Sequence, residues 1–188
     1  MHKQGAFTII ENMFNTFFPD KYYDSTYHID FDALYRDGYR GIIFDIDNTL
    51  VPHGAPADAR SRELIAHLKD IGFSILFLSN NKEPRVKMFN DEVDCLYLYK
   101  ANKPSRKGYY HAMALMNTNH SNTLTVGDQL FTDIWGAKRT GILSILVKQI
   151  DKKEEIQIVL KRILEKVILK RFESFCKKNG KVYLYEGR

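Results

Sequence analysis

Cysteine is nearly absent from this chain of 188 residues. Cys95 and Cys176 are the only two, they fall in different predicted elements, and neither has the spacing of a metal ligand. That scarcity excludes a disulfide scaffold and a thiolate metal cluster, and it predicts free thiols in a reducing compartment. Long apolar runs are missing as well. Nothing approaches the roughly 18 residues that a membrane-spanning helix needs, and GILSILV is among the longest runs and only strand-sized. The opening MHKQGAFTIIENMF lacks an uninterrupted apolar core and a small-residue cleavage site, so no secretory signal is read there and a cytoplasmic location is expected. Internal repeats and low-complexity linkers are also lacking.

What is present suits a globular chain. Apolar residues make up 44%, aromatic residues 13% and charged residues 27%, which is enough to bury a core without staples. The length fits one ordinary domain with a remainder. Net charge is +5, but residues 148–188 hold 12 basic and 6 acidic residues, so that tail accounts for +6 and everything before it for −1.

Short apolar runs alternate with helical patterns through the middle of the chain, the signature of strand-helix units around a parallel sheet. Strands are expected at 40–46, 73–78, 94–99, 123–126 and 142–147, several apolar on both faces as a doubly covered sheet requires. Helices are expected at about 58–71, 84–91, 105–117 and 130–140, with Pro84 and Gly141 marking two ends. The predicted fold class is α/β, a Rossmann-like doubly wound parallel sheet of about five strands. A domain over 1–150 contains this core, at about 40–147, after an aromatic amino-terminal segment over 1–30. A basic amphipathic helical extension follows over 151–188.

Ligands of open parallel sheets bind beyond the carboxyl ends of the strands. Those ends carry Asp45, Asp47 and Thr49 after the first strand, then Ser79, Asn80 and Asn81 after the second. Lys100 to Lys103 follow the third, and Gly127, Asp128 and, further on, Asp133 follow the fourth. A lone D-x-D at a strand end is more often a helix cap or a solvated loop. Four ends populated in this way suit a metal-phosphate site instead.

The stretches DIDNT, LSNN, NKPS and GDQLFTD together resemble the four motifs of the haloacid dehalogenase-like superfamily of aspartate-nucleophile phosphatases. Within it, DNTLVPHGAPAD and GDQLFTDIWGAKRTG resemble the YqeG-type branch of subclass IIIA phosphatases, which is similar to mitochondrial phosphatidylglycerophosphate phosphatases. The resemblance implies Asp45 as nucleophile, forming an aspartyl-phosphate, and Asp47 as the acid and base. Ser79 would bond a phosphoryl oxygen, and Lys103 would neutralise charge and align Asp45. The implied cofactor is Mg2+, held by the carboxylates of Asp45 and Asp128 and the backbone carbonyl of Asp47. Asp133 would orient the metal shell or contribute a ligand through water.

Several residues carry two readings. Asn80 and Asn81 form either a turn or a substrate contact, and Thr49 supports the loop. His53 is left out of the catalytic set as a solvent-facing loop residue. Arg85 and Arg106 are expected to be exposed, although either would suit a second anionic group.

The gaps between motifs leave no room for a cap domain, so the site should accept a phosphomonoester on something large, such as a phospholipid headgroup. Soluble metabolites, phosphoproteins and a non-catalytic scaffold are the alternatives. In the tail, Ile156, Leu160, Ile163, Leu164 and Val167 form an apolar face flanked by Lys161, Arg162, Lys166, Lys170 and Arg171. That face suits packing on the domain, a homo-oligomer, or peripheral contact with an anionic membrane, with packing favoured. The aromatic Phe14, Phe17 and Phe18 face the same choice. Nucleic acid ranks lower, because the tail lacks interleaved aromatic residues for base stacking.

Overall fold

The computed structural model describes residues 15–151 and 156–187, with the backbone alone described over 156–161. Its strands are β1 (Lys21–Tyr23), β2 (Gly41–Phe44), β3 (Ser74–Leu78), β4 (Leu96–Leu98), β5 (Thr123–Gly127) and β6 (Leu143–Val147). They form one parallel sheet in the order β1-β6-β5-β2-β3-β4. The expected five strands all form, with no end displaced by more than two residues.

β1 corrects the strand count from about five to six. Its three residues sit in an aromatic stretch without alternation, and pairing with β6 rather than local pattern makes them a strand. The carboxyl-terminal segment covers this edge: the Tyr185 N–H donates to the Tyr22 carbonyl at 2.8 Å, and the Tyr23 and Tyr185 rings stack at 4.8 Å.

The helices are α1 (Phe31–Arg36), α2 (Ala59–Ile71), α3 (Glu83–Asn90), α4 (Arg106–Leu115), α5 (Trp135–Thr140) and α6 (Ile156–Lys178). α2 starts on a capping box, in which Asp58 accepts from the Ser61 N–H while the Ser61 hydroxyl oxygen accepts from the Asp58 N–H. It ends at Gly72 in the left-handed region, φ 107°. The predicted helix at 130–140 is two pieces, because Leu130–Ile134 forms a wide π-type turn before α5.

Strand alternation divides the core between the two faces. Ile42, Phe44, Ile75, Phe77, Leu124 and Val126 pack toward α1, α2 and α3, while Ile43, Leu76 and Leu78 pack toward α4 and α5. Among the described residues, the β2–β3 connection holds a short flap and α2, and the β3–β4 connection holds α3 alone. Neither contains an inserted domain.

α6 buries a different stripe from the expected one. Glu165, Ile168, Phe172 and Cys176 are buried with Phe18, Tyr22, Leu130, Ile134 and Leu146, leaving Ile163, Leu164 and Val167 about half exposed. Phe17 and Phe18 join that cluster, with Phe18 and Phe172 at 5.2 Å between ring centroids and Phe17 and Phe131 likewise at 5.2 Å. Phe18 therefore belongs to the core, and the partly buried Phe17 packs against it. Phe14 and the side chains of Ile156, Leu160 and Lys161 lie outside the described residues.

Candidate active site

β2 is the centre of the sheet, and the chain leaves it toward β3 and β4 before crossing back to β5 and β6. The crevice at its carboxyl end is thus the topological switch point, where loops from both halves of the sheet diverge. Parallel pairing sets the register there: the Asp45 N–H donates to the Val126 carbonyl, which brings the start of the first motif level with the end of β5.

Asp45, Asp128 and Asp133 converge, each offering a carboxylate oxygen within 4.8 Å of the others. Lys103 closes the group from the third motif. Its Nζ donates to Asp45 Oδ1 at 2.5 Å and to Asp133 Oδ1 at 2.6 Å. Asn80 positions that lysine by bonding its backbone twice, accepting from the Lys103 N–H at 2.6 Å and donating to the Lys103 carbonyl at 3.2 Å. Asn80 thus ties the second motif to the third, a contact that lies outside both of its readings, as a turn residue or as a substrate contact.

Asp133 is fixed from the other side by the Gln129 N–H, 3.1 Å from Oδ2. It also needs a glycine beside it. A Cβ on Gly127 would meet Asp133 Cβ and Cγ at 2.5 Å, far inside van der Waals contact.

Burial raises the Asp45 carboxyl to about 7; the Lys103 ammonium opposes this and Asp133 adds to it. Burial works against the Lys103 ammonium too, but Asp133 and Asp45 outweigh it and hold its pKa above the ordinary lysine range. Burial also raises Asp128 well above its usual value, against the influence of Arg162. Asp128 Oδ1 is buried with no hydrogen-bond partner among the described residues. An orphaned carboxylate oxygen beside two further carboxylates is the donor set a hard divalent cation takes.

Asp47 turns away from this group. Its Oδ1 accepts from the Gly54 N–H at 2.7 Å and from Arg85 Nε and Nη2 at 3.2 and 2.9 Å, and its Oδ2 accepts from Asn81 Nδ2 at 2.7 Å. The expectation for Arg85 is thereby corrected. Its side chain is only 14% exposed, because the start of α3 faces the crevice rather than solvent. Its position just after the β3 motif was the available signal. Arg106 is exposed as expected. His53 is also exposed, with Nδ1 3.8 Å from Asp47 Oδ1.

Ser79 is buried at the end of β3, its hydroxyl oxygen accepting from the Asn81 N–H at 3.1 Å. Asn48, in the left-handed region at φ 62°, ties the first motif to the loop after β6 through its carbonyl and side-chain oxygens. Thr49 and Leu50 are held by the amino-terminal segment, their carbonyls accepting from the Thr26 and Tyr27 hydroxyls.

A family model described as HAD-hydrolase-like matches residues 100–161. Over 167 residues the chain is 34% identical to "Probable phosphatase YqeG" of Bacillus subtilis (strain 168), an alignment covering 88% of this chain and 95% of that one. The chain belongs to the haloacid dehalogenase-like superfamily, as a YqeG-type phosphatase. It is also 30% identical over 157 residues to the chloroplastic/mitochondrial phosphatidylglycerophosphate phosphatase 1 of Arabidopsis thaliana, covering 77% of this chain but 45% of that protein. A solved structure of the cobalt-bound deoxy-D-mannose-octulosonate 8-phosphate phosphatase of Haemophilus influenzae is similar at TM-score 0.48 and 13% identity, covering 60% and 80% of the two chains.

Two features of this YqeG-type phosphatase had no counterpart in the motif pattern. Tyr109 on α4 is buried and donates its hydroxyl to the Thr132 and Asp133 carbonyls, both at 3.1 Å, bracing the π-type turn that carries Asp133. Arg162 reaches Asp128 from α6, well outside the stretch that carries the motifs.

Proposed function

We propose that the phosphatase hydrolyses phosphomonoesters through Asp45 and that its substrate is carried by a membrane, phosphatidylglycerophosphate being the candidate. The division between the two aspartates of the first motif carries this reading: Asp45 lies within the lysine and carboxylate cluster, while Asp47 is held apart from it by Asn81, Gly54 and Arg85.

In the proposed reaction an Asp45 oxygen attacks phosphorus, and the bond from phosphorus to the leaving alkoxide breaks as Asp47 gives that oxygen a proton. Water then attacks the aspartyl-phosphate, loses its proton to Asp47, and releases inorganic phosphate. Ser79 bonds a phosphoryl oxygen, and Lys103 holds Asp45 in line while offsetting negative charge. A bound divalent cation, which we take to be Mg2+, would be held by Asp45 and Asp128 with the Asp47 carbonyl and Asp133 beside it, and would supply the charge neutralisation that lets a carboxylate approach phosphate.

The lipid substrate draws on two supports. The plant relative is named for phosphatidylglycerophosphate, and α6 presents Ile163, Leu164 and Val167 to solvent beside exposed Lys166 and Lys170. Such a face suits peripheral contact with anionic lipid from the cytoplasmic side. We read 1–150 as the phosphatase domain and 151–188 as the extension bearing that face.

Mg2+-dependent phosphate release from an aryl phosphate tests the chemistry, with Asp45→Asn expected to lower kcat by at least about 10³-fold. Activity unchanged in that variant sinks the mechanism. Substrate choice is tested by comparing phosphatidylglycerophosphate in anionic vesicles with soluble phosphomonoesters, using wild type and a Leu164→Ser/Lys166→Glu variant. The proposal expects a vesicle preference that the double variant loses while keeping its aryl phosphatase rate. A preference for a soluble phosphomonoester defeats the lipid reading and leaves the chemistry intact.

A further inference from the structure

The C-terminal helix carries a partly buried ion pair that no step of the proposed reaction uses. Arg162 Nη1 donates to Glu165 Oε2 at 2.8 Å, one turn along α6. Glu165 is almost fully buried, and its other oxygen accepts the Leu130 N–H at 2.8 Å, at the start of the π-type turn. The pair is therefore anchored to the phosphatase domain. From that anchor Arg162 reaches Asp128, with Nη1 donating to its backbone carbonyl at 2.7 Å and Nη2 donating to its Oδ2. The remaining oxygen, Oδ1, is the buried one that lacks a hydrogen-bond partner among the described residues.

We propose that Arg162 is a positioning residue of the cation site, fixing Asp128 from the C-terminal helix so that Oδ1 is left for a divalent cation, with Glu165 fixing Arg162. This inference rests on the reading of Asp45, Asp128 and Asp133 as that site. A carboxylate held by one oxygen and by its own backbone cannot swing about its side-chain torsions, and partners behind a metal ligand set its orientation in this way. A guanidinium is suited to the task, because its planar fork can engage a carboxylate and a carbonyl together without losing its charge. It also offsets the mutual repulsion of three clustered carboxylates before a cation arrives.

The contrary arrangement is a guanidinium standing where the cation belongs and departing when it binds. Departure would strip Glu165 of its charged partner while buried, which is costly. The two arrangements also predict opposite responses to removing the arginine.

Mn2+ binding to the full chain, followed by the electron paramagnetic resonance of free Mn2+, separates them without any turnover. Wild type, Arg162→Lys, Arg162→Met and Glu165→Gln would be compared, with melting in chelator confirming that each variant is folded. The inference expects Arg162→Met to weaken Mn2+ binding by about 10-fold or more, Arg162→Lys to fall between it and wild type, and Glu165→Gln to shift in the same direction. If Arg162→Met does not fold, the Lys and Gln variants carry the test in the same direction. Unchanged or tighter binding in the folded variants overturns the role of Arg162 while leaving the cation site in place. A wild-type protein that binds no Mn2+ removes the cation site and this inference with it.

Discussion

Asp47 accepts four hydrogen bonds, from a flap amide, an asparagine side chain and two nitrogens of one arginine, so its carboxyl has almost no freedom to turn. A group held in this way suits proton delivery to one fixed oxygen. Because the need for a general acid grows with the basicity of the leaving group, Asp47→Asn is expected to lower kcat about 10²- to 10⁴-fold on alkyl phosphates and much less on a nitrophenyl phosphate. Equal losses on the two would show that Asp47 is not the acid. Arg85 has a narrower effect. Removing its two charge-assisted bonds in Arg85→Met is expected to lower kcat on alkyl phosphates about tenfold, with Mg2+ dependence unchanged in a titration. Asp45, Asp47, Lys103 and Asp128 were legible in the sequence because each follows a strand whose apolar run is unmistakable. Arg85 was less so: its place just after the β3 motif was a signal, but a charged residue at a helix start does not declare which way it faces.

At the scale of elements, the loop from β5 through the π-type turn is where small residues matter. Gly127 has Asp133 against its α-carbon and Gly136 has the Tyr109 ring, with a Cβ on Gly136 meeting that ring at 2.4 Å. Gly127→Ala is expected to push Asp133 away from Lys103, costing about 1–3 kcal/mol of stability and most of the activity. Denaturant titration and aryl phosphatase assay of the same preparation check both parts, and a fully active, fully stable Gly127→Ala would refute the close packing. α6 offers the complementary case. Phe172→Ala removes the ring that meets Phe18 and Tyr183, and is expected to cost about 3–5 kcal/mol. Deleting residues 152–188 would be a poor probe of membrane contact, since the deletion also removes Arg162 from Asp128.

Across the whole molecule, the clustered carboxylates set a pH dependence. The Asp45 carboxyl is raised from 3.8 to about 7 in the folded protein without a cation. Between those values the folded chain keeps a proton that the unfolded chain has released, so stability falls as pH rises through that window. In chelator, the Tm of wild type relative to Asp45→Asn is therefore expected to decline from pH 4 to 7. Adding Mg2+ at pH 7 should recover the loss, because a cation takes the proton's place. Parallel melting curves for the two proteins over that range would rule out the assignment. The exposed face of α6 is also a property at this scale, since neither the sheet nor the amino-terminal segment covers Leu164 among the described residues.

Local pattern in the sequence was enough to specify a parallel sheet, its five central strands and the identity of the residues at their carboxyl ends, while the order of those strands came from their pairing in the fold. Apolar runs and glycine or proline punctuation are local signals, and a parallel sheet turns them into a shared edge without further information. Tertiary structure decided what local pattern does not encode. The β1 strand exists through its pairing with β6, and Arg85 faces the crevice because of how α3 sits on β3. The stripe of α6 that docks includes Arg162 and Glu165, two charges that an amphipathic count assigns to solvent. They face the domain because each is the other's partner and both bond the loop that carries Asp128, a relation that exists only once residues 128 and 162 are brought together by the fold.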